Sequence, residues 1–258
     1  DKAMILTMAG FFLEAEQVFE KLDTSAFDAA QKVSWYNVRQ KFLHDYNEYV
    51  RTSSFAVPDA GKIAFYQDKV LEGTPEDSNL NRHMRILRMI ERREFERAYG
   101  ENMAFIESLS PEEHDYAVQT YWQGFICENL ERPDEVIHWW VESAISDIRG
   151  AIKDNASLCS IAIKLTNPDE TDRAFRYIRL SLDDAIYYNA KLRKVQIAST
   201  MPWIEKAYTD SKEIQTRDRN RYLLFTTFAS LLLMLICVYT VSLYVKGRKS
   251  AGVIEKKN

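Results

Sequence analysis

Four histidines and three cysteines are the residues whose chemistry can be asked about first. His44, His83, His114 and His138 are far apart and form no HExxH or comparable pair. A lone helical histidine is far more often structural than a ligand, so no metal site is expected. The sequence holds neither a glycine-rich phosphate cradle nor a GxSxG elbow. No catalytic residue, metal or cofactor is expected, and the chain reads as a non-enzyme.

Two clusters could bind rather than react. Arg82, Arg85, Arg88, Arg92, Arg93 and Arg97 make one segment strongly basic. Arg85, Arg88 and Arg92 share a helical face on which an anionic ligand or peptide could dock. The plainer reading pairs these arginines with Glu91, Glu94 and Glu96 as a solvated face. The second cluster is Tyr121, Trp122, Trp139 and Trp140. Aromatic faces in a concave surface stack on a sugar or grip a peptide, and the plainer reading is core packing. Adjacent Trp139 and Trp140 cannot both point inward from one helix, so one of them is a candidate for exposure.

The elements that must position these residues are helices. There is no convincing alternating strand run. Thr74-Pro75-Glu76-Asp77, Ser110-Pro111-Glu112-Glu113 and Asn167-Pro168-Asp169-Glu170 each offer a capping side chain, a first-turn proline and acids for the positive end of the helix dipole. Arg132-Pro133-Asp134-Glu135 and Val57-Pro58-Asp59 are weaker versions. These marks divide the chain into hairpins at roughly 1–22, 26–73, 78–109, 112–151 and 155–191, with one more helix from about 193.

The second helices share a period. Glu96-Arg97-Ala98, Asp134-Glu135-Val136 and Asp172-Arg173-Ala174 are each 38 residues apart, and Trp139 with Tyr177 and Ser143 with Ser181 continue the match. Ala98, Val136 and Ala174 are therefore expected in equivalent packed positions. Helical hairpins repeating every ~34–45 residues stack into a solenoid, because no single hairpin buries its own apolar face. The segments Glu131 to Trp140 and Asp169 to Tyr177 resemble the turn and second helix of tetratricopeptide repeats, without the tight glycine or the full first-helix pattern. Cys127 and Cys159 fall on successive first helices but are displaced from equivalence by about 9 Å along the axis. A disulfide needs Cα atoms within about 7 Å, so both are expected to be free thiols.

From Tyr222 to Val245 run 24 residues without a charge. As a helix they rise about 36 Å, enough to cross a hydrocarbon core of about 30 Å. Tyr222, Tyr239 and Tyr244 suit the interfacial belt, and Arg221 and Lys246 bracket the span. The expected division is a solenoid over 1–192, a juxtamembrane helix over 193–221, the transmembrane helix over 222–245 and a basic tail over 246–258. Pro202 is expected to break or kink the helix ahead of the span. Trp203 to Val245 then forms one helix whose seam is too poor for dimerisation through the stalk alone.

Before the span stand 29 Lys and Arg against 37 Asp and Glu, which argues against nucleic acid as the partner of this part. Lys246, Arg248, Lys249, Lys256 and Lys257 suit an anionic cytoplasmic leaflet, which places the large domain outside. Lys212, Arg217, Arg219 and Arg221 crowd the other flank and weaken that rule. The chain opens at Asp1 rather than Met, as expected of a trimmed chain, and the outside topology implies a signal segment upstream.

Ala144 to Leu158, Asp172 to Ile186 and Asn189-Ala-Lys-Leu-Arg193 resemble a family of uncharacterised Bacteroidetes membrane proteins of the starch-utilisation regulator type. The resemblance implies a periplasmic tetratricopeptide-like domain, one inner-membrane helix and a cytoplasmic C-terminus. It further implies a coiled coil and a DNA-binding domain beyond Asn258, so any DNA partner is reached only through residues absent from this chain. The expected function is a ligand- or protein-binding sensor outside the cytoplasm that relays a signal through its span. Its ligand is a protein, peptide or glycan on the solenoid, and a homodimer is a further candidate partner. The alternative is a membrane-tethered scaffold that recruits proteins without signalling.

Overall fold

The computed structural model describes residues 1–50, 60–152, 156–165 and 167–255. Among them are eleven α-helices and no strand. They pair as α1 Lys2–Met8 with α2 Phe12–Glu20, α3 Ala29–Val50 with α4 Ala60–Gly73, and α5 Asn79–Glu91 with α6 Phe95–Ile106. The pairs α7 His114–Asn129 with α8 Pro133–Arg149 and α9 Ala156–Lys164 with α10 Thr171–Tyr187 follow. The last helix, α11, is Lys191–Glu255. All five hairpins match those expected from the punctuation, as an all-α tetratricopeptide-like solenoid with one long apolar C-terminal helix.

Three of the helix starts differ from the sequence reading. Thr74 does not open α5; its hydroxyl donates to the Val70 carbonyl at 2.7 Å and so finishes α4. The cap of α5 is Ser78, whose Oγ accepts the Asn81 N–H at 3.3 Å. Pro111 likewise precedes α7 by a turn in which the Ser110 N–H donates to Glu113 Oε1. Pro168 begins a short 3-10 turn ahead of α10. The weaker signature holds best, since Pro133 occupies the first turn of α8. Val57-Pro58-Asp59 lies outside the described residues.

The hairpin turns show how the chain reverses without a glycine. Arg93 and Glu131 stand one 38-residue period apart, and both have φ near +58°. Around Arg93 the Glu94 N–H reaches back to the Met89 carbonyl and the Arg93 N–H to that of Ile90. The Arg132 and Glu131 N–H groups repeat this on Cys127 and Glu128. This Schellman arrangement satisfies carbonyls that a helix end leaves without donors. It offsets the roughly 1–2 kcal/mol that a left-handed residue costs a side chain other than glycine.

The register of the repeats is visible in burial. Ala98, Val136 and Ala174 are 0%, 4% and 2% exposed. Seven residues further on, Phe105, Ser143 and Ser181 are also buried. Three core clusters run along the stack, one built on Phe12, Phe19 and Phe42, one on Ile86, Phe105 and Ile126, and one on Trp140, Ile161 and Ile178. Cys127 and Cys159 are buried and unpaired, as their spacing requires.

The compact unit that holds these cores ends at Lys206 rather than at 192. The first turns of α11 belong to it, because Ile197 and Ile204 are buried in the cluster of Trp140 and Ile178. Pro202 does not break the helix; it lies inside α11. Proline removes one backbone donor, and the buried Ile197 and Ile204 hold the turns on either side. A second unit spans Ala207–Asn258, and its described residues are all helical.

Replacing Ala174 with Trp should overpack the groove and cost about 1–3 kcal/mol. Urea denaturation of the detergent-solubilised chain, followed by far-ultraviolet circular dichroism, measures it. An unchanged midpoint would mean that the 38-residue register does not govern packing.

Candidate functional site

The basic face is assembled by three helices. Arg85 and Arg88 of α5, with Arg92 just past its end, meet Asp68 of α4 and Glu94 and Arg97 around a groove of ≈ 180 Å³. That is well below the roughly 300–1,000 Å³ of ordinary ligand pockets, so the groove is small for a ligand site. Its arginines are not equivalent. Arg88 is largely buried and pairs with Asp68 at 3.1 Å while donating to Gln67 Oε1 at 3.3 Å, so it ties α5 to α4. Arg85 donates to the Glu76 carbonyl at 3.2 Å, and Arg92 is exposed at the end of α5.

The acids follow the expected scheme at Glu94 and depart from it at Glu91 and Glu96. Glu94 takes Arg97, Glu91 accepts from Gln67, and Glu96 reaches Arg132 in the next hairpin at 3.3 Å. Arg82 points away from the groove. Its guanidinium lies 4.2 Å from the Phe105 ring centroid and donates to the Ala104 carbonyl and the Ser108 hydroxyl, which closes the end of α6. Arg85 and Arg92 are thus the members of the face with surface to offer.

The aromatic cluster is core. Trp140 is 4% exposed, donates its indole N–H to the Tyr121 carbonyl at 3.2 Å, and stacks on the Tyr121 ring at 6.4 Å. Trp139 is half-buried, with its indole nitrogen enclosed and without a hydrogen-bond partner. Trp122 meets the Tyr121 ring edge-on at 5.8 Å but packs into a different core cluster, against Phe125 at 5.6 Å. The four side chains therefore make no common exposed platform. Sequence could not separate them, because α7 is covered on most of its circumference by α6, α8 and the neighbouring hairpins.

Of the polar residues inside the stack, Asn102, Gln119, Gln123 and Ser157 went unremarked in the sequence. Asn102 donates to the Gln119 carbonyl and to Gln123 Oε1, at 2.9 and 2.8 Å. Ser143 and Ser157 share a hydrogen bond at 2.6 Å between α8 and α9. His83 of α5 meets Gln119 of α7 at 3.0 Å. The residue as a whole is half-buried, and burial is the main influence on the ring and holds its pKa below the ordinary value. The Lys41 charge acts in the same direction, and Gln119 and Asp115 act against it.

The thiols are unsuited to chemistry. Burial, then the Glu135 carboxylate, pushes Cys127 up to about 12. Burial also raises Cys159. Among the described residues no group of His, Cys, Asp and Glu could hold a metal ion.

The C-terminal helix is the other functional element. Within Lys191–Gly247 lies a window long and apolar enough to cross a membrane, and none of that window is buried. A core helix would be covered by its own protein. Leu224, Phe225, Leu235 and Val238 are instead each more than half exposed, so lipid is the medium that suits them. The hydroxyls of Thr226, Thr227 and Ser230 bond carbonyls one turn back, which satisfies them without water.

A family model described as the SusR N-terminal TPR domain matches residues 1–199. No curated protein and no solved structure matches the chain.

The lowered pKa of His83 makes stability depend on pH with a definite sign. Above the ordinary value near 6.5 the ring is neutral in both states. As pH falls below it, the unfolded chain binds the proton first, so the His83 contribution is lost down to the depressed folded pKa. Denaturation midpoints between about pH 6.5 and 5 should fall less in His83→Gln than in the parent chain. Equal slopes would show that His83 is not held neutral.

Proposed function

The chain belongs to the SusR N-terminal TPR family, and from that premise we propose that it is the sensor half of a single-pass membrane regulator. In this reading the solenoid binds a protein, peptide or glycan outside the cytoplasm, and α11 relays the result through an inner membrane to a cytoplasmic output. One observation carries the proposal. The helix that supplies Ile197 and Ile204 to the solenoid core is the same helix that contains the apolar window. A tether needs only a connection, whereas a relay needs its moving part seated in the sensor.

A repeat stack offers a surface, and its energy comes from contacts spread along neighbouring hairpins. On that surface Arg85 and Arg92 would take an anionic group of the ligand, while Tyr121, Trp122, Trp139 and Trp140 serve the core. Homodimerisation, if it contributes, would add to this relay.

Topology is tested by alkaline phosphatase, which is active only outside the cytoplasm. Fusion just before Arg217 should give activity and fusion after Lys249 should not. The reverse pattern would overturn the sensor reading.

Relay is tested by inserting two glycines between Ser211 and Lys212, which loosens α11 at a cost of roughly 1 kcal/mol per glycine. In the intact protein ligand-dependent transcription should be lost at normal expression level. Unchanged regulation would favour the scaffold.

A further inference from the structure

The two ends of the solenoid meet. The turn between α1 and α2 contacts the first turn of α11, although almost the whole unit separates them in sequence. The Lys191 N–H is one of the first-turn donors that α11 itself cannot satisfy, and it donates to the Ala9 carbonyl at 2.7 Å. The Lys191 ammonium lies 3.7 Å from the Phe11 ring centroid and 3.9 Å from the Glu14 carboxylate. Leu192 packs against the first core cluster, with Phe12 and Phe42. Between these contacts sits Gly10, with φ +77°. A Cβ added there would stand 2.6 Å from the Leu192 backbone nitrogen, so the approach requires glycine.

The chemistry of this junction differs from that of the hairpin cores. Those cores are broad and apolar, while the junction rests on one backbone hydrogen bond, one cation–π contact, an exposed ion pair and one leucine. Contacts of this kind open locally without unfolding the elements they join. Their position is what gives them consequence. In a stack whose ends are free, small changes of angle between repeats add up at the ends. Here the ends are joined, so a change in superhelical curvature strains the Ala9–Lys191 contact first.

We propose that the α1–α2 hairpin is a latch on the root of α11, closed in the state described and released when a ligand alters the curvature of the solenoid. The proposal rests on the sensor reading and names the step by which occupancy would reach α11. Release frees the first turn of α11, with Lys191 and Leu192, while the Ile197 and Ile204 contacts keep the helix in the core. The latch thus sets a threshold, since curvature must change enough to break the junction before α11 can reposition.

The test is amide hydrogen exchange on the whole chain in lipid nanodiscs. Gly10→Val pushes the two turns apart. It should accelerate exchange at Lys191 and Leu192 by roughly tenfold or more, with protection in α7 and α8 unchanged. Lys191→Met removes the cation–π contact and the ion pair without a backbone clash, and should give a smaller acceleration at the same amides. Unchanged exchange in both Gly10→Val and Lys191→Met would overturn the latch, as would loss of protection throughout the solenoid in Lys191→Met. None of these readouts needs a transcriptional output. The latch can therefore fail while the relay stands, and a failed glycine insertion would leave the exchange result intact.

Discussion

How closely α7 and α8 approach decides most of what the solenoid can be. A Cβ added at Gly124 would stand 2.4 Å from Trp140 Cδ1, so the indole lies against bare backbone. That contact draws the two helices together and brings the Ser143 hydroxyl within 2.8 Å of the Ala117 carbonyl. Ser143 in turn bonds Ser157, which fixes α9. Aromatic residues that might have faced a ligand are absorbed here, because a buried tryptophan is worth more as packing than as a rim. Under the sensor reading, the charged edges of the stack are the surface left for a ligand.

What could be read from the sequence was whatever depends on period. The hairpins, the buried Ala98, Val136 and Ala174, the free Cys127 and Cys159 and the long apolar helix all follow from spacing and composition. What could not be read depends on a neighbour. Thr74 looks like a cap for the following helix until its hydroxyl is seen on Val70, and Ser78 performs that task instead. Pro202 reads as a stop, but a stop requires that nothing hold the next turn, and Ile204 holds it. The arginine face was legible as a face. Its pairing was not, since Arg88 chose Asp68 in another hairpin over the glutamates beside it.

The left-handed turns show the same division between local and tertiary causes. Sequence lacks the glycine expected between helices, which makes the repeats look degenerate. Arg93 and Glu131 nevertheless adopt φ near +58° and reproduce one hydrogen-bond pattern a period apart. The repeat is thus kept in the backbone where it has been lost from the residue type. Gly10 is the exception for a stated reason, because its approach to Leu192 leaves no space for a side chain.

Contacts between hairpins have an apolar part, in which Ile126 packs with Ile86 and Phe105 and Trp140 with Ile161 and Ile178, and a polar part that is regular in sequence. Within the central hairpin α7 and α8 meet through Gly124 and Trp140. Between neighbours the polar links recur at one separation of 36 residues: Asn79 with Asp115, His83 with Gln119, Glu96 with Arg132 and Tyr99 with Glu135. Several are exposed, and water can replace an exposed polar contact at little cost, whereas nothing replaces a filled apolar groove. Under the sensor reading, a small deformation of the stack would exchange these exposed polar links between hairpins while the shared apolar cores stay filled. A ligand that bridges two hairpins would act on the contacts that yield most easily. Under the sensor reading, small rotations collected along α5, α7 and α9 arrive where α11 begins, which is why a relay can be built from repeats that are individually stiff.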